Sequence, residues 1–180
     1  MAGCQSDGTT DIVSSGSDSP VSSKQWPGRC GLGEDPLFNP LNEDRFIPDL
    51  IDVATGVVTP DSGGTLVISQ SSVVIPAGAV TGNVMVAWAM LDRTPPDLPD
   101  ALPRTYIFAP HGINFLVPIK VYISFDDAGL GQGTPFWTKF YCFNESTGVW
   151  EEQETRYNLF SKQFIVTLNH FSRYAFGRAA

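Results

Sequence analysis

Few side chains in this sequence of 180 residues have the types and spacing that chemistry requires. It contains two histidines, His111 and His170, which excludes a metal centre built on several histidines. The three cysteines, Cys4, Cys30 and Cys142, lack the paired Cys-x-x-Cys spacing that is typical of zinc sites. The sequence therefore predicts no metal site and no cofactor.

The acidic side chains in the second half form two short runs. Asp126 and Asp127 precede a glycine-rich stretch, but the alternating ligands of an EF-hand are absent and no predicted helix follows to bind a phosphate. This run predicts a flexible loop. Glu152 and Glu154 share one face of a predicted strand. They could form the pair of catalytic carboxylates of a glycosidase, but a solvent-exposed strand face is the simpler interpretation.

The charge excludes a role in binding nucleic acid. Eleven Lys and Arg stand against nineteen Asp and Glu, which gives a net charge of −8 and no basic surface for a phosphate backbone. The acidity is concentrated at the front, because residues 1–60 carry nine acidic and three basic side chains. Apolar runs of about 18 residues, the length of a membrane-spanning helix, do not occur.

Composition divides the chain into three segments. Residues 1–23 are rich in Ser, Gly and Asp and bury too little apolar surface to fold, so they predict a disordered tether. Residues 24–55 mix apolar side chains with four prolines and predict an extended apolar arm packed on the domain. Residues 56–178 predict the domain itself.

Strand patterns and turn residues predict the fold class of this domain. Residues 118–125 alternate apolar and polar side chains, which is typical of a half-buried strand. Residues 83–91 are apolar on both faces, so we expect both to be covered, with the arm as the second cover. Turn signals recur at intervals of roughly 8 to 12 residues, and the domain is predicted to be an all-β antiparallel β-sandwich.

Five short motifs, taken in order, resemble the ZU-five module. This β-sandwich occurs in tight-junction scaffolds, ankyrins and netrin receptors, and the sequence also resembles related domains of bacterial surface lipoproteins. The resemblance covers residues 56–178 and implies a non-enzymatic structural or protein-interaction domain. The motifs are Gly63-Gly-Thr-Leu-Val, Val74-Ile-Pro-Ala-Gly-Ala, Phe108-Ala-Pro-His-Gly-Ile-Asn-Phe, Glu145-Ser-Thr-Gly-Val-Trp and His170-Phe-Ser-Arg-Tyr-Ala.

The tripeptide His170-Phe171-Ser172 also resembles the autoproteolytic site of certain ZU-five domains. Ser172 Oγ would attack the Phe171 carbonyl while His170 moves the proton, and water would open the resulting ester. The same alternation has a structural interpretation, because Phe171 would fill the core on the face opposite His170 and Ser172. Self-processing therefore stays beside the interaction domain as an alternative function.

The segment Ala2-Gly3-Cys4 resembles the end of a bacterial lipoprotein signal, in which the cysteine becomes the lipidated first residue. The polar tether that follows suits a domain held off a bilayer. This interpretation requires a start trimmed to Met1, and the alternative is an exposed thiol in a floppy terminus. The anchor predicts an extracytoplasmic location, at the cell surface or in the periplasm, with a protein as the partner.

If Cys4 carries the lipid, two cysteines remain, Cys30 and Cys142. In an oxidising compartment, a bond between them would fasten the arm to the strand at residues 137–143. The alternative is that Cys142 is a buried small apolar residue and Cys30 a free thiol.

Two predictions concern aromatic side chains. Trp150 is expected to pack on the sandwich. Trp137 and Tyr141 suggest carbohydrate binding as a third function, provided that both are exposed.

Overall fold

The computed structural model describes residues 49–178, which form two antiparallel β-sheets packed face to face. This confirms the predicted all-β antiparallel sandwich. The tether and the arm up to residue 48 lie outside the described residues, and the predicted domain boundaries stay a prediction. Within the described part of the chain, the only helical turn is the 3-10 turn Pro135–Trp137.

Eleven strands make up the two sheets. The first sheet has the order β1-β4-β5-β11-β7-β8 and the second has the order β2-β3-β6-β10-β9. The strands are β1 Leu50–Val58, β2 Gly64–Ile68, β3 Ser71–Ile75, β4 Val84–Leu91, β5 Thr105–Ala109, β6 Asn114–Ser124, β7 Thr138–Asn144, β8 Val149–Gln153, β9 Thr155–Asn158, β10 Gln163–His170 and β11 Arg173–Arg178.

The predicted alternation in β6 is present. Ile119, Val121 and Ile123 are fully buried between the sheets, while Lys120 is exposed on the other face. Because successive side chains of a strand point to opposite faces, this pattern places one face of β6 in the core. The second sheet is thus built as a half-buried antiparallel sheet.

Strand β4 is buried on both faces, as its sequence predicts. Residues 24–48 of the predicted arm lie outside the described residues, so their place over β4 stays a prediction. The last residues of the predicted arm, Leu50–Thr55, belong to β1 and extend the sheet beside β4 instead of lying across its face. On the outer face, Leu91 shares a small cleft with Pro95 and Pro96 of the β4–β5 connection. A side-by-side strand satisfies the backbone hydrogen bonds of an apolar segment, which a covering arm would leave unpaired.

The core between the sheets is strongly aromatic. Its rings pack in contact, for example Phe140 on Tyr174 with centroids 5.2 Å apart and Phe164 on Phe176 at 4.5 Å. Burying a large apolar side chain contributes about 1.5–3 kcal/mol. The fully buried aromatic residues are Trp88, Tyr106, Phe108, Phe140, Phe164, Phe171, Tyr174 and Phe176.

Asp127 corrects the prediction of a flexible loop at residues 126–127. Its side chain is buried, and Oδ2 accepts hydrogen bonds from the Ser71 hydroxyl at 2.5 Å and the Gln70 amide at 3.0 Å. The hydroxyl of Tyr106 donates to the Asp127 carbonyl oxygen at 2.9 Å. Burial, and then the Asp127 charge, raise the pKa of Tyr106, so this hydroxyl stays a donor. The loop is fastened to the β2–β3 hairpin.

Candidate functional site

The tripeptide predicted as a cleavage site lies where the chain crosses between the sheets. Strand β10 of the second sheet ends at His170, and β11 of the first sheet begins at Arg173. Phe171 and Ser172 are the two residues of the crossing. A short crossing between two packed sheets must bury its middle residues, and both are buried.

Phe171 closes this end of the core. Its ring packs on Phe108, with centroids 5.1 Å apart, and edge-on against Phe115 at 4.9 Å. Its amide donates to the Ile113 carbonyl oxygen, and its carbonyl oxygen accepts from the Gly112 amide, both at 3.1 Å. The β5–β6 connection, which also contains the half-buried His111, therefore holds the backbone of Phe171 on both sides.

The structure gives His170 and Ser172 different partners. His170 Nε2 lies 3.4 Å from the Cys142 sulfur, whereas Ser172 Oγ donates to the Phe143 carbonyl oxygen at 3.2 Å. The serine proton is thus directed at a main-chain oxygen rather than at the imidazole. General-base activation needs the two side chains within hydrogen-bond reach, and these contacts do not provide it.

Cys142 is the residue that the sequence analysis did not connect to this tripeptide. It lies on β7 opposite Tyr174 of β11, and its thiol contacts His170 and hydrogen-bonds with the Ser172 and Tyr174 side chains. The Tyr174 hydroxyl in turn donates to the His170 carbonyl oxygen at 2.7 Å. The antiparallel pairing of β7 with β11 brings Cys142 to the tripeptide, and the sequence does not indicate this pairing.

Burial keeps the groups of this cluster neutral. It raises the pKa of the Cys142 thiol, an effect that the side-chain interactions with Ser172 and Tyr174 partly oppose. Burial also lowers the pKa of His170, with Glu151 acting in the opposite direction. A reactive cysteine needs a thiolate beside a cationic group. Cys142 and His170 form a neutral thiol–imidazole pair that joins the sheets and is not prepared for nucleophilic attack.

The neutral state of His170 predicts a stability that depends on pH. The folded pKa lies below the ordinary value of 6.5, so the unfolded chain binds a proton more readily. The contribution is complete above about pH 7, decreases as the pH falls below the unfolded value, and is lost once the pH has fallen through the lower folded pKa. We expect His170→Gln to lose less stability than the native protein between about pH 7 and pH 5, as measured by urea unfolding. Equal losses in the two proteins would contradict this.

The cysteine predictions fall partly outside the described residues. Cys4 and Cys30 both lie there, so the lipid anchor and the Cys30–Cys142 bond stay predictions. Within residues 49–178 Cys142 is buried and forms no disulfide bond. Burial is what the alternative of a small apolar residue expects.

The acidic residues of β8 and the segment after it lie on a solvated face. Glu152 pairs with Lys139 at 3.0 Å, and Glu154 pairs with Arg156 at 2.8 Å. Both carboxylates are thereby matched by surface cations, as the solvated-face interpretation expects. Among residues 49–178, no three His, Cys, Asp or Glu side chains are grouped closely enough to hold a metal ion.

Trp150 packs on the outer face of the first sheet, as predicted. Its ring meets Phe143 with centroids 5.1 Å apart, and the Arg173 guanidinium lies 4.1 Å from the Phe143 centroid. A guanidinium over an aromatic face is attracted by the ring quadrupole. Tyr141 is half-buried on the same face, and its hydroxyl lies 3.5 Å from the Arg178 carbonyl oxygen.

A group of exposed apolar side chains occupies one end of the second sheet. Phe136 of the 3-10 turn meets Tyr157 of the edge strand β9 edge-on, with centroids 5.5 Å apart. Phe160, in the β9–β10 turn, is 102% exposed, and Trp137, which follows Phe136, is 69% exposed. We call this group the aromatic end surface; its members are Phe136, Trp137, Tyr157, Leu159 and Phe160.

The sequence analysis identified only Trp137 from this surface. A signal was present in the β9–β10 turn, where Leu159 and Phe160 stand at positions that polar turn residues normally occupy. The contact between Phe136 of the 3-10 turn and Tyr157 of β9 is a property of the folded sandwich.

Comparison with known proteins does not extend this picture. No protein-family model and no curated protein matches the sequence. Within residues 49–178 there is also no helix with the length and apolar character needed to cross a membrane.

Proposed function

We propose that this protein is an extracytoplasmic, lipid-anchored interaction domain of the ZU-five type, and that its sandwich binds a protein partner through the aromatic end surface. The observation that carries the proposal is a set of five large exposed apolar side chains on two segments, among them the entirely exposed Phe160, and contact between Phe136 and Tyr157 joins these segments. Binding is the function that these exposed side chains support.

The composition of the surface and the contact between Phe136 and Tyr157 support a binding role. Single exposed apolar residues are ordinary on a soluble protein, whereas contiguous apolar patches mark binding surfaces. Aromatic side chains are also the residues that most often dominate the binding energy of a protein interface. The contact between Phe136 and Tyr157 fixes two of these rings in place before binding, which lowers the entropy lost on association.

Charge favours a protein partner over an anionic bilayer surface. The chain carries a net charge of −8, and residues 61–180, with ten acidic and eight basic side chains, are themselves slightly negative. Anionic headgroups repel such a domain, whereas a partner with a basic rim around an apolar patch is attracted to it.

The anchor in the proposal depends on Cys4 and on the polar composition of residues 1–23. Mass spectrometry of the protein from the cells that produce it is the direct test. A mature chain that begins at a lipid-modified Cys4 supports the anchor. An unmodified Cys4 in the mature protein removes the anchor and leaves the interaction surface to be judged separately.

Partner binding is expected to fail in Phe160→Asp and to persist in Val67→Asp. Val67 is the matched control, because it is 61% exposed on β2, at the opposite edge of the same sheet. Truncation of an interface anchor costs about 2 kcal/mol or more, roughly a thirtyfold loss of affinity. Both variants change exposed side chains, so their stabilities should stay within about 0.5 kcal/mol of the native value.

The measurement uses a photo-crosslinking amino acid placed at position 160 or at position 67 of the full chain in its own cells. We expect position 160 to crosslink to one discrete protein, and we expect position 67 not to crosslink to that protein. Purified partner is then titrated with the two aspartate variants. Crosslinks only to lipid, or equal loss of affinity in both variants, would contradict the proposal.

Self-processing is the alternative that the geometry does not favour, because His170 and Ser172 contact different partners. Denaturing electrophoresis tests it directly. A cleaved native chain beside an intact Ser172→Ala variant would restore this alternative.

A further inference from the structure

A cleft of about 360 Å³ opens beside the aromatic end surface. It lies where the start of β7 and the end of β11 meet the β4–β5 and β6–β7 connections. A volume of this size falls in the range of about 300–1,000 Å³ that small-molecule sites occupy. The cleft is therefore large enough to hold one ring-sized group of a larger ligand.

The lining combines a flat aromatic wall with polar side chains. Trp137 borders the cleft and is 69% exposed, so most of its indole is not used for packing. Leu102 and Leu130 add apolar surface, while Asp100 and Arg178 bring a carboxylate and a guanidinium. The lining is about as polar as it is apolar, which suits a ligand that presents both kinds of surface.

The two charged groups are not committed to holding the fold. Neither Asp100 nor Arg178 forms an ion pair with another residue of the described range 49–178, although the surface holds such pairs elsewhere. Asp100 also has a φ of 50°, in the left-handed region that non-glycine residues adopt only at a cost. Strained backbone of this kind is concentrated at ligand sites.

We propose that this cleft binds one pyranose unit of a neutral saccharide. The apolar face of the sugar ring stacks on Trp137, and sugar hydroxyls donate to the Asp100 carboxylate and accept from the Arg178 guanidinium. A hydroxyl can both donate and accept, so a polyol satisfies an acid and a base together, which an anion or a cation does not. The indole supplies rigid contact area that is apolar on its face.

The test is isothermal titration of the full chain with three probes, maltohexaose, cellohexaose and chitohexaose, each at up to millimolar concentration. We expect at least one probe to bind and Trp137→Ala to weaken that binding about tenfold, which corresponds to about 1.4 kcal/mol. Arg178→Ala and Asp100→Asn should each weaken it as well, because each removes a hydrogen-bonding group from the sugar.

Phe160→Ala is the control, since it removes an exposed aromatic ring that does not border the cleft. It should bind the saccharide as the native chain does, even where partner binding is lost. Circular dichroism confirms that each variant is folded. Absence of heat with all three probes overturns the proposal, and so does native affinity in the Trp137→Ala variant.

Discussion

Replacing Gly63 with alanine is expected to destabilise the protein by more than about 4 kcal/mol, while the same change at Gly148 should cost only about 1–2 kcal/mol. Both glycines have a left-handed backbone, with φ of 66° and 69°, so the conformational cost of a Cβ is nearly the same. At position 63 the added Cβ would lie 2.1 Å from the Ile75 carbonyl oxygen, whereas position 148 has no atom within 4 Å. The difference between the two losses of unfolding free energy therefore measures the steric clash at position 63 alone.

The clash matters because Gly63 stands where the chain passes from β1 of the first sheet to β2 of the second. Its amide donates to the Thr59 carbonyl oxygen at 2.8 Å, closing a tight turn. Relief of the clash would require the turn and the end of β3 to separate. Total stabilities of domains are about 5–15 kcal/mol, so a large part of the variant should be unfolded. Urea unfolding of both variants is the measurement, and equal losses would show that the loop gives way easily.

Replacing Phe108 with alanine is expected to cost about 3–5 kcal/mol of unfolding free energy. Phe108 is fully buried in β5, near the centre of the first sheet. Its ring stacks on Trp88 at 5.5 Å and meets Tyr174 edge-on at the same distance, in addition to its contact with Phe171. The change removes all three ring contacts and leaves a cavity between close-packed sheets.

Phe160→Ala is the matched control, because it removes the same side chain from an entirely exposed position. Its effect should stay within about 0.5 kcal/mol, and Phe108→Leu should fall between the two because it keeps part of the buried volume. Thermal unfolding followed by circular dichroism suffices, since a loss of 3 kcal/mol corresponds to a drop of roughly 10 °C for a domain of this size. Similar melting temperatures for Phe108→Ala and Phe160→Ala would contradict the described core.

The sandwich class was predictable because strand patterns are local. A residue such as Val121 is buried in a strand when its neighbours Lys120 and Tyr122 can point the other way, and this depends only on spacing along the chain. The apolar run in β4 likewise indicated burial on two faces. What covers the second face is not a local property, and residues 50–55 of the predicted arm form part of the edge strand β1.

The polar cluster around Cys142 shows a different limit. Cys142 and His170 are 28 residues apart. They meet because the chain crosses from β10 of the second sheet to β11 of the first sheet, where β11 pairs with β7. Asp127 is similar, since its burial depends on Ser71 of a distant hairpin. The spacing of these residues does not predict such contacts. The entropic cost of closing a loop varies only slowly with its length, so many other pairs of residues could meet at nearly the same cost.

The sequence by itself determined the class of fold, the alternating strands and turns, and the shortage of groups for metal or nucleophilic chemistry, because these follow from composition and short-range periodicity. Only the tertiary structure decided which surface is available for binding. Phe136 and Tyr157 are aromatic residues whose types alone would also suit the core. Tyr157 is exposed because β9 is an edge strand, and Phe136 of the 3-10 turn packs against it there. Whether a side chain is exposed depends on which strands form the edges of the sheets, and only the order of the strands in the folded sandwich decides that.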